Sequence, residues 1–333
     1  MGETEKPSQS VRLRVGWRLL KVFLIVLFVG IALNALILAI GAGAGGVTIS
    51  LTVLLALPFF LSALMIYLIK TDADGSGTYY YWAPVITVVG LITVGGVLIR
   101  EGVVCLIMVL PLWVPMAIWG ALTVRGYQRA AHKDASQIKV FELSSLTLIP
   151  VVIMGLDVGL PQNISTFEVR RSIVLDATPE EIWPLLLELD DLSVEEGKWN
   201  VTQNLLQIPR PASALVTGKG EGAVRAARWG EHIRFEEHIS DWAEHQRLVW
   251  KFVFPDDSIS AYTDSHIHPQ GPHLRIEQGG YELTELGSGQ TRLELYTRYE
   301  AETPVNLYAA LWGELILGDI QSNILSILDQ RLD

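Results

Sequence analysis

The sequence predicts a chain in two parts: an N-terminal α-helical membrane bundle and a C-terminal α+β domain of short antiparallel strands. Three observations carry this. Four long apolar runs fill the first ~125 residues and then stop. From Phe167 onward, apolar and polar residues alternate in short stretches. One long helix with a wide apolar face, opened by Thr303 and Pro304, runs to about Leu332.

The runs are Val22 to Ala42, Val47 to Ile69, Tyr81 to Ile99 and Gly102 to Val124. Each holds about 20 residues, the number a helix needs to cross ~30 Å of hydrocarbon. Charges are absent inside them, since a bare charge at that depth costs several kcal/mol. They gather at the ends instead, as Arg18, Lys21, Lys70, Arg100, Glu101 and Arg125. The first stretch is too long for a signal h-region and lacks a cleavage site. Pro58, Pro111 and Pro115 fall within spans, where kinks are tolerated. Mid-membrane polarity amounts to little beyond Asn34, which argues against transport.

Lys and Arg counts set the orientation. Residues 1–21 form a basic tail with Lys6, Arg12, Arg14, Arg18 and Lys21, and Arg125, Arg129, Lys133 and Lys139 follow the fourth run. Both ends are therefore expected to face the cytoplasm, with the domain that follows. Residues 126–164 form a linker containing a fifth apolar stretch, Ser144 to Leu160, interrupted by Pro150 and Asp157. An interfacial segment is the preferred reading of it. A fifth crossing is its rival and would place everything after it on the outer side.

The 333 residues carry 25 Lys and Arg against 36 Asp and Glu, a net charge of −11. An acidic chain with its basic residues at membrane flanks does not offer the phosphate-neutralising surface of a nucleic-acid binder. The single cysteine, Cys105, excludes an intrachain disulfide and a cysteine metal cluster. Gly41, Gly43 and Gly46 fit G-x-G-x-x-G, but they join two apolar runs and lack a βαβ setting, so they read as a turn. The sequons at Asn163 and Asn200 matter only for an exported eukaryotic domain. No cofactor is expected.

In the second part, Phe167, Val169, Ile173 and Leu175 alternate with polar residues, as on a strand with one buried face. Thr178, Pro179 and Glu181 are N-cap, first helical residue and capping-box partner, so a helix starts there with Ile182, Trp183, Leu186 and Leu189 inward. Strands follow around 222–229, 233–239, 248–254 and 258–267. Tyr281 and Leu283 then join Leu293, Leu295, Thr297 and Tyr299 through Gly287-Ser288-Gly289, a hairpin signal. The order is strand, helix pair, about six antiparallel strands, long helix.

Val169-Arg-Arg-Ser-Ile-Val-Leu-Asp-Ala-Thr-Pro-Glu-Glu-Ile-Trp183 resembles the opening of START-like (SRPBCC) domains of the polyketide cyclase/dehydrase group. Gly220-Glu-Gly222 leading to Arg225 and Trp229 is similar to the same group, as is Tyr281-Glu-Leu283 through Gly289-Gln-Thr291-Arg-Leu293 to Thr297-Arg-Tyr299. The resemblance covers residues 165–333. It implies a helix-grip fold, a curved antiparallel sheet around the C-terminal helix, with a cavity for an apolar ligand between them. It carries no shared catalytic motif.

Alternation places Trp250, Phe252, Tyr281 and Tyr299 inward, and Tyr308 and Trp312 lie on the closing helix. These six are the candidate ligand-binding residues; as ordinary core they would simply pack. His266 and His268 share a strand face near His273, but Pro269 and Gly271-Pro272 mark an exposed strand end rather than a zinc site. His232, His238 and His245 lack a nucleophile nearby, and Asp264 and Glu294 are expected to face water. The leading expectation is a membrane-anchored module binding a hydrophobic small molecule or lipid. A cyclase- or dehydratase-type enzyme and a membrane scaffold are the alternatives.

Overall fold

The computed structural model describes residues 50–69, 79–99, 102–131, 163–193, 195–256, 258–261 and 268–332, with isolated positions in 17–32 and at 152, 153 and 157. Most of the first apolar run, the glycine turn at 41–46, Asp264 and His266 lie outside the described residues. The chain divides into two compact units, Met1–Pro161 and Gln162–Asp333.

In the first unit, a π-helical turn at Thr52–Ala56 leads into α1 (Leu57–Ile69). Next come α2 (Tyr79–Val94), with a π-helical turn at Gly95–Ile99, and α3 (Val103–Ala131). Tyr80–Val97 and Val103–Arg129 are long and apolar enough to cross a membrane, and Thr52–Leu68 is a shorter apolar helix. Among the described residues these account for two of the four expected spans, and the first run lies mostly outside the description. Much of these helices is apolar and exposed, including Trp82, Val89, Val103 and Trp119.

A small residue lies where α1 and α3 cross. A Cβ at Gly120 of α3 would run into the carbonyl of Phe59 on α1, and Phe59 and Trp119 meet edge to face at 5.4 Å. Backbone cannot yield as a side-chain tip can, so Gly120→Leu should cost about 1–3 kcal/mol or more through overpacking. Gly126→Leu, whose Cβ meets nothing within 4 Å, should cost nothing measurable. Thermal unfolding of the full chain in detergent, followed by tryptophan fluorescence, compares the two.

The second unit is one eight-stranded sheet in the order β1-β8-β7-β6-β5-β4-β3-β2. Its elements are β1 (Ile164–Leu175), α4 (Pro179–Leu187), β2 (Glu188–Leu189), β3 (Pro211–Thr217), β4 (Val224–Trp229), β5 (Ile233–Ala243), β6 (Arg247–Val253), β7 (Leu274–Gly287), β8 (Gln290–Glu302) and α5 (Asn306–Leu332). All pairings are antiparallel, and bulges interrupt β3, β5 and β7. Extra residues of this kind bend a strand and raise its twist. The sheet curls into a half-barrel with α5 along it, the helix-grip arrangement.

The helix start at Thr178 is as expected: the Thr178 N–H donates to the Glu181 carboxylate at 2.8 Å, and Pro179 opens α4. The hairpin holds Gly287, Ser288 and Gly289 at φ of 83°, 59° and 77°, a left-handed run that two glycines make inexpensive. Two expectations are corrected. The strand expected at 258–267 begins as a 3₁₀ turn at Ser258–Ala261, and residues 262–267 are outside the description. There the Ser258 N–H donates to Asp256 and its hydroxyl donates to the Arg234 carbonyl, which holds the turn against β5 in place of a strand ladder. In place of a helix pair there is one helix, α4, and a π-helical turn at Val201–Leu205 capped by the Asn200 side chain.

Inward residues make two apolar clusters. The main core joins Leu175, Ile182, Trp183, Leu248, Trp250, Tyr281 and Leu293 to Leu325, Ile327 and Leu328 of α5. A second cluster joins Ala227, Ile233 and Phe235 to the partly exposed Trp229, Phe252, Phe254 and Ile259. Burying each large side chain of the main core contributes roughly 1.5–3 kcal/mol.

Candidate functional site

The site is built on the concave face where β4, β5, β6 and β7 run side by side. Arg225 on β4 and Glu237 on β5 are cross-strand partners, each 5% exposed. The Arg225 Nε donates to the Glu237 carboxylate, and its Nη1 donates to the Leu186 carbonyl on α4 at 2.6 Å. The guanidinium lies 4.6 Å from the ring centre of Trp250 and 5.4 Å from that of Tyr281. The Trp250 and Tyr281 rings are 5.3 Å apart, and Trp250 and Phe252 6.1 Å apart. Trp250 fits there because its neighbour across the ladder is Gly279, where a Cβ would stand 2.7 Å from the indole.

Burial penalises the Arg225 charge, but Glu237 and Tyr281 beside it hold its pKa above the usual value. Burial pushes the Glu237 carboxyl up, against the pull of Arg225. Burial raises the Tyr281 hydroxyl as well, again opposed by Arg225. A charged pair this deep stays charged only because each partner answers the other.

Of the six predicted residues, Trp250, Phe252 and Tyr281 are brought together. Tyr299 lies elsewhere, on β8, with its ring 5.6 Å from Phe167 and its hydroxyl against Gly313 of α5. Burial, with Glu314 adding, pushes the Tyr299 hydroxyl up to about 12. A tyrosine kept neutral in the fold supports stability below pH 10, and that support is lost as pH rises from 10 toward 12. We expect a loss on the order of 2–3 kcal/mol over that window. Tyr299→Phe should flatten that part of the curve, as read from urea midpoints at pH 9 and 11.5.

Tyr308 and Trp312 are half-buried on α5. Their half of that helix differs from the other. From Asn306 to Leu317 no side chain is fully buried, whereas Gly318, Ile320, Gln321, Asn323, Leu325, Ile327 and Leu328 all are. The helix approaches β1 and β8 most closely. The Gln321 amide donates to the Val169 carbonyl and the Thr297 hydroxyl, and Arg171 pairs with Glu314 at 2.7 Å. Trp250, Gly279 and Thr297 stand in one row across the sheet. Beyond that row Phe252 and Phe254 lie at the end of the sheet that the open half of α5 faces.

In the second unit three buried indole N–H groups, of Trp183, Trp242 and Trp250, find no acceptor among the described residues. Trp183 and Trp242 meet edge to face at 5.6 Å. Each unanswered buried donor costs about 1–3 kcal/mol, which an acceptor atom of a bound molecule would offset.

The remaining candidates disperse. Among the described residues no three His, Cys, Asp or Glu side chains converge on a metal position. His273 is buried rather than at an exposed end, with Nδ1 3.1 Å from the Glu302 carbonyl. His238 contacts Glu236 at 2.7 Å on the exposed face. Glu294 faces outward near Arg170, at 3.5 Å.

Comparison with solved structures finds low-identity likeness over about half of the chain. Truncated norcoclaurine synthase from Thalictrum flavum is 10% identical, with 51% of this chain and 96% of that chain covered and a TM-score of 0.33. The Zhui aromatase/cyclase from Streptomyces sp. R1128 is 11% identical, with 50% and 93% covered and a TM-score of 0.31. A protein from Thermus thermophilus is 22% identical, with 50% and 97% covered and a TM-score of 0.30. No family model matches the chain, and no curated protein matches it.

Proposed function

We propose that residues 162–333 bind a hydrophobic small molecule or lipid that carries at least one hydrogen-bond acceptor, and that the N-terminal helices hold this module in a membrane as a multi-pass anchor. The observation that carries the reading is the aromatic end of the concave face. Trp229, Phe252 and Phe254 stay partly exposed there, beside a half-helix that buries none of its own residues completely. A globular core does not ordinarily leave aromatic surface unfilled on its inner side, whereas a site for an apolar guest does.

In this reading Phe252, Tyr308 and Trp312 contact the apolar body of the guest. Tyr299 bounds the site toward β1, and the indole of Trp250 and the hydroxyl of Tyr281 provide its polar end. Leu307 and Leu311, 80% and 69% exposed, sit on the first turns of α5, where the Asn306 side chain donates to the Asn163 carbonyl.

The test is mass spectrometry of residues 162–333, purified without detergent and denatured to release bound compounds. A stoichiometric apolar compound, displaced by fluorescent fatty-acid or sterol probes, is the expected result. An empty domain that takes up none of these probes overturns the reading. A second reading, a cyclase- or dehydratase-type enzyme, draws on the convergence of Arg225, Glu237 and Tyr281 with shifted acidities. It requires that the released compound be chemically changed by the domain, and Glu237→Gln should then abolish turnover while binding persists.

A further inference from the structure

Arg125 carries a charge that the fold leaves unanswered. It sits on α3, less than two turns before that helix ends at Ala131. Its guanidinium lies 4.8 Å from the Tyr80 ring centre, and its Nε is buried and finds no acceptor among the described residues. The described residues of this unit hold one acid, Asp157, and it is committed elsewhere. The Asp157 carboxylate accepts from the Leu51 N–H at 2.6 Å, from the Thr52 N–H at 2.8 Å and from the Thr52 hydroxyl. Those groups open the helical segment that becomes α1. Tyr80 instead packs with Ile66 and Val124, at the other end of α1. A guanidinium stacked on a ring still needs acceptors for its N–H groups.

The groups around Arg125 are donors too. The Tyr80 hydroxyl donates to the Gln128 carbonyl oxygen at 3.1 Å, which leaves the Gln128 amide nitrogen as a further donor. Arg129 is exposed one turn after Arg125, so Arg125, Gln128 and Arg129 share a helix face. Arg129 lies in the last turn of α3, where the helix dipole alone favours a cation. Arg125 is a turn further in and partly buried, so that account does not reach its Nε. Val22 belongs to the Tyr80 cluster, which brings the exposed Lys21 to the same end. Two guanidinium forks and an amide suit an anion with several acceptor oxygens, as a phosphate has.

Position decides which phosphate. The apolar span of α3 runs from Val103 to Arg129, so Arg125 lies about 6 Å inside its end at 1.5 Å per residue. Tyr81 and Trp82 are exposed beside Tyr80, and Leu122 and Trp119 are exposed one and two turns deeper on α3. Aromatic rings of this kind suit the headgroup level, and the apolar side chains below them suit acyl chains. We propose that Arg125, Gln128 and Arg129 hold the phosphate of an anionic phospholipid, with Lys21 adding to the charge balance. This rests on the membrane reading above.

Native mass spectrometry of the full chain in mild detergent tests this, with dimyristoyl phosphatidylglycerol, dimyristoyl phosphatidylcholine and inorganic phosphate as probes. The expected result is one phosphatidylglycerol retained at least tenfold above phosphatidylcholine and not displaced by an equal concentration of inorganic phosphate. Arg125→Gln should lower that retention at least tenfold, and Arg125→Lys, which keeps the charge but loses the fork, should recover only part of it. Lys219→Gln, on an exposed lysine of the second unit, should change nothing. Thermal unfolding of each variant without lipid checks that it is folded. Should Arg125→Gln fail to fold, Arg129→Gln reads the same site through a loss of threefold or more, and no loss there overturns the proposal. Equal retention of the two lipids, or unchanged retention by Arg125→Gln, overturns it as well. Displacement by inorganic phosphate overturns the lipid assignment in favour of a free phosphate. Alkaline carbonate extraction separates these failures from a failure of the membrane reading. A chain released into the soluble fraction fails that reading, whereas one that stays in the membrane and retains no phosphatidylglycerol fails only this proposal.

Discussion

Arg225→Ala lowers the stability of residues 162–333 by about 3–5 kcal/mol, because it strands the Glu237 carboxylate in a dry interior. The pair is 5% exposed on each side, and the guanidinium also satisfies the Leu186 carbonyl and stacks on Trp250. Removing it leaves one charge, one carbonyl and one ring face without a partner. A domain of this size has only about 5–15 kcal/mol in hand, so much of its stability is at stake. Arg225→Met with Glu237→Leu removes both charges at similar volume and should recover most of the loss. Urea unfolding of the single and double variants gives the coupling. A single variant that loses under 1 kcal/mol would show that Glu237 finds water, contrary to its burial.

Phe252→Asp is expected to weaken uptake of fluorescent apolar probes by at least 100-fold while the domain still unfolds cooperatively. A carboxylate on the aromatic end of the concave face must be desolvated by any apolar guest, at a cost of several kcal/mol, or remain hydrated and exclude it. Phe252 is only half-buried, 6.0 Å from Phe235, so the folded state can keep the new charge wet. Phe252→Leu should bind within a few-fold of the parent chain. Val174→Asp, on the exposed face of β1, should change nothing. Retained probe binding by Phe252→Asp would remove the aromatic end of the face from the site.

The strands that the sequence announced were those whose alternation was clean. Ile233, Phe235 and Ile239 on β5, and Leu293, Leu295, Thr297 and Tyr299 on β8, are buried as the period of two requires. β3 escaped notice because Pro211-Ala-Ser-Ala-Leu-Val-Thr217 has small residues on both faces and a register shift near its start. The ion pair was half legible. Glu237 falls in step with Phe235 and Ile239, so alternation alone puts a carboxylate inside. What the sequence did not provide was the strand register that sets Arg225 opposite it. Asp157 was conspicuous as an acid in an apolar run, but the amides it serves lie more than a hundred positions earlier, beyond the reach of any local pattern.

The first strand of the helix-grip unit pairs with its last, Ile164 opposite Glu302, and the helix that covers both follows them in the chain. Gln321 meets Val169 across 152 positions. Until β8 is made β1 has no neighbour, and until α5 folds the concave face has no cover. Contacts this distant in sequence close slowly, and an uncovered strand edge invites the wrong partner. Truncation of the last two turns of α5 should therefore yield aggregates rather than a smaller folded domain.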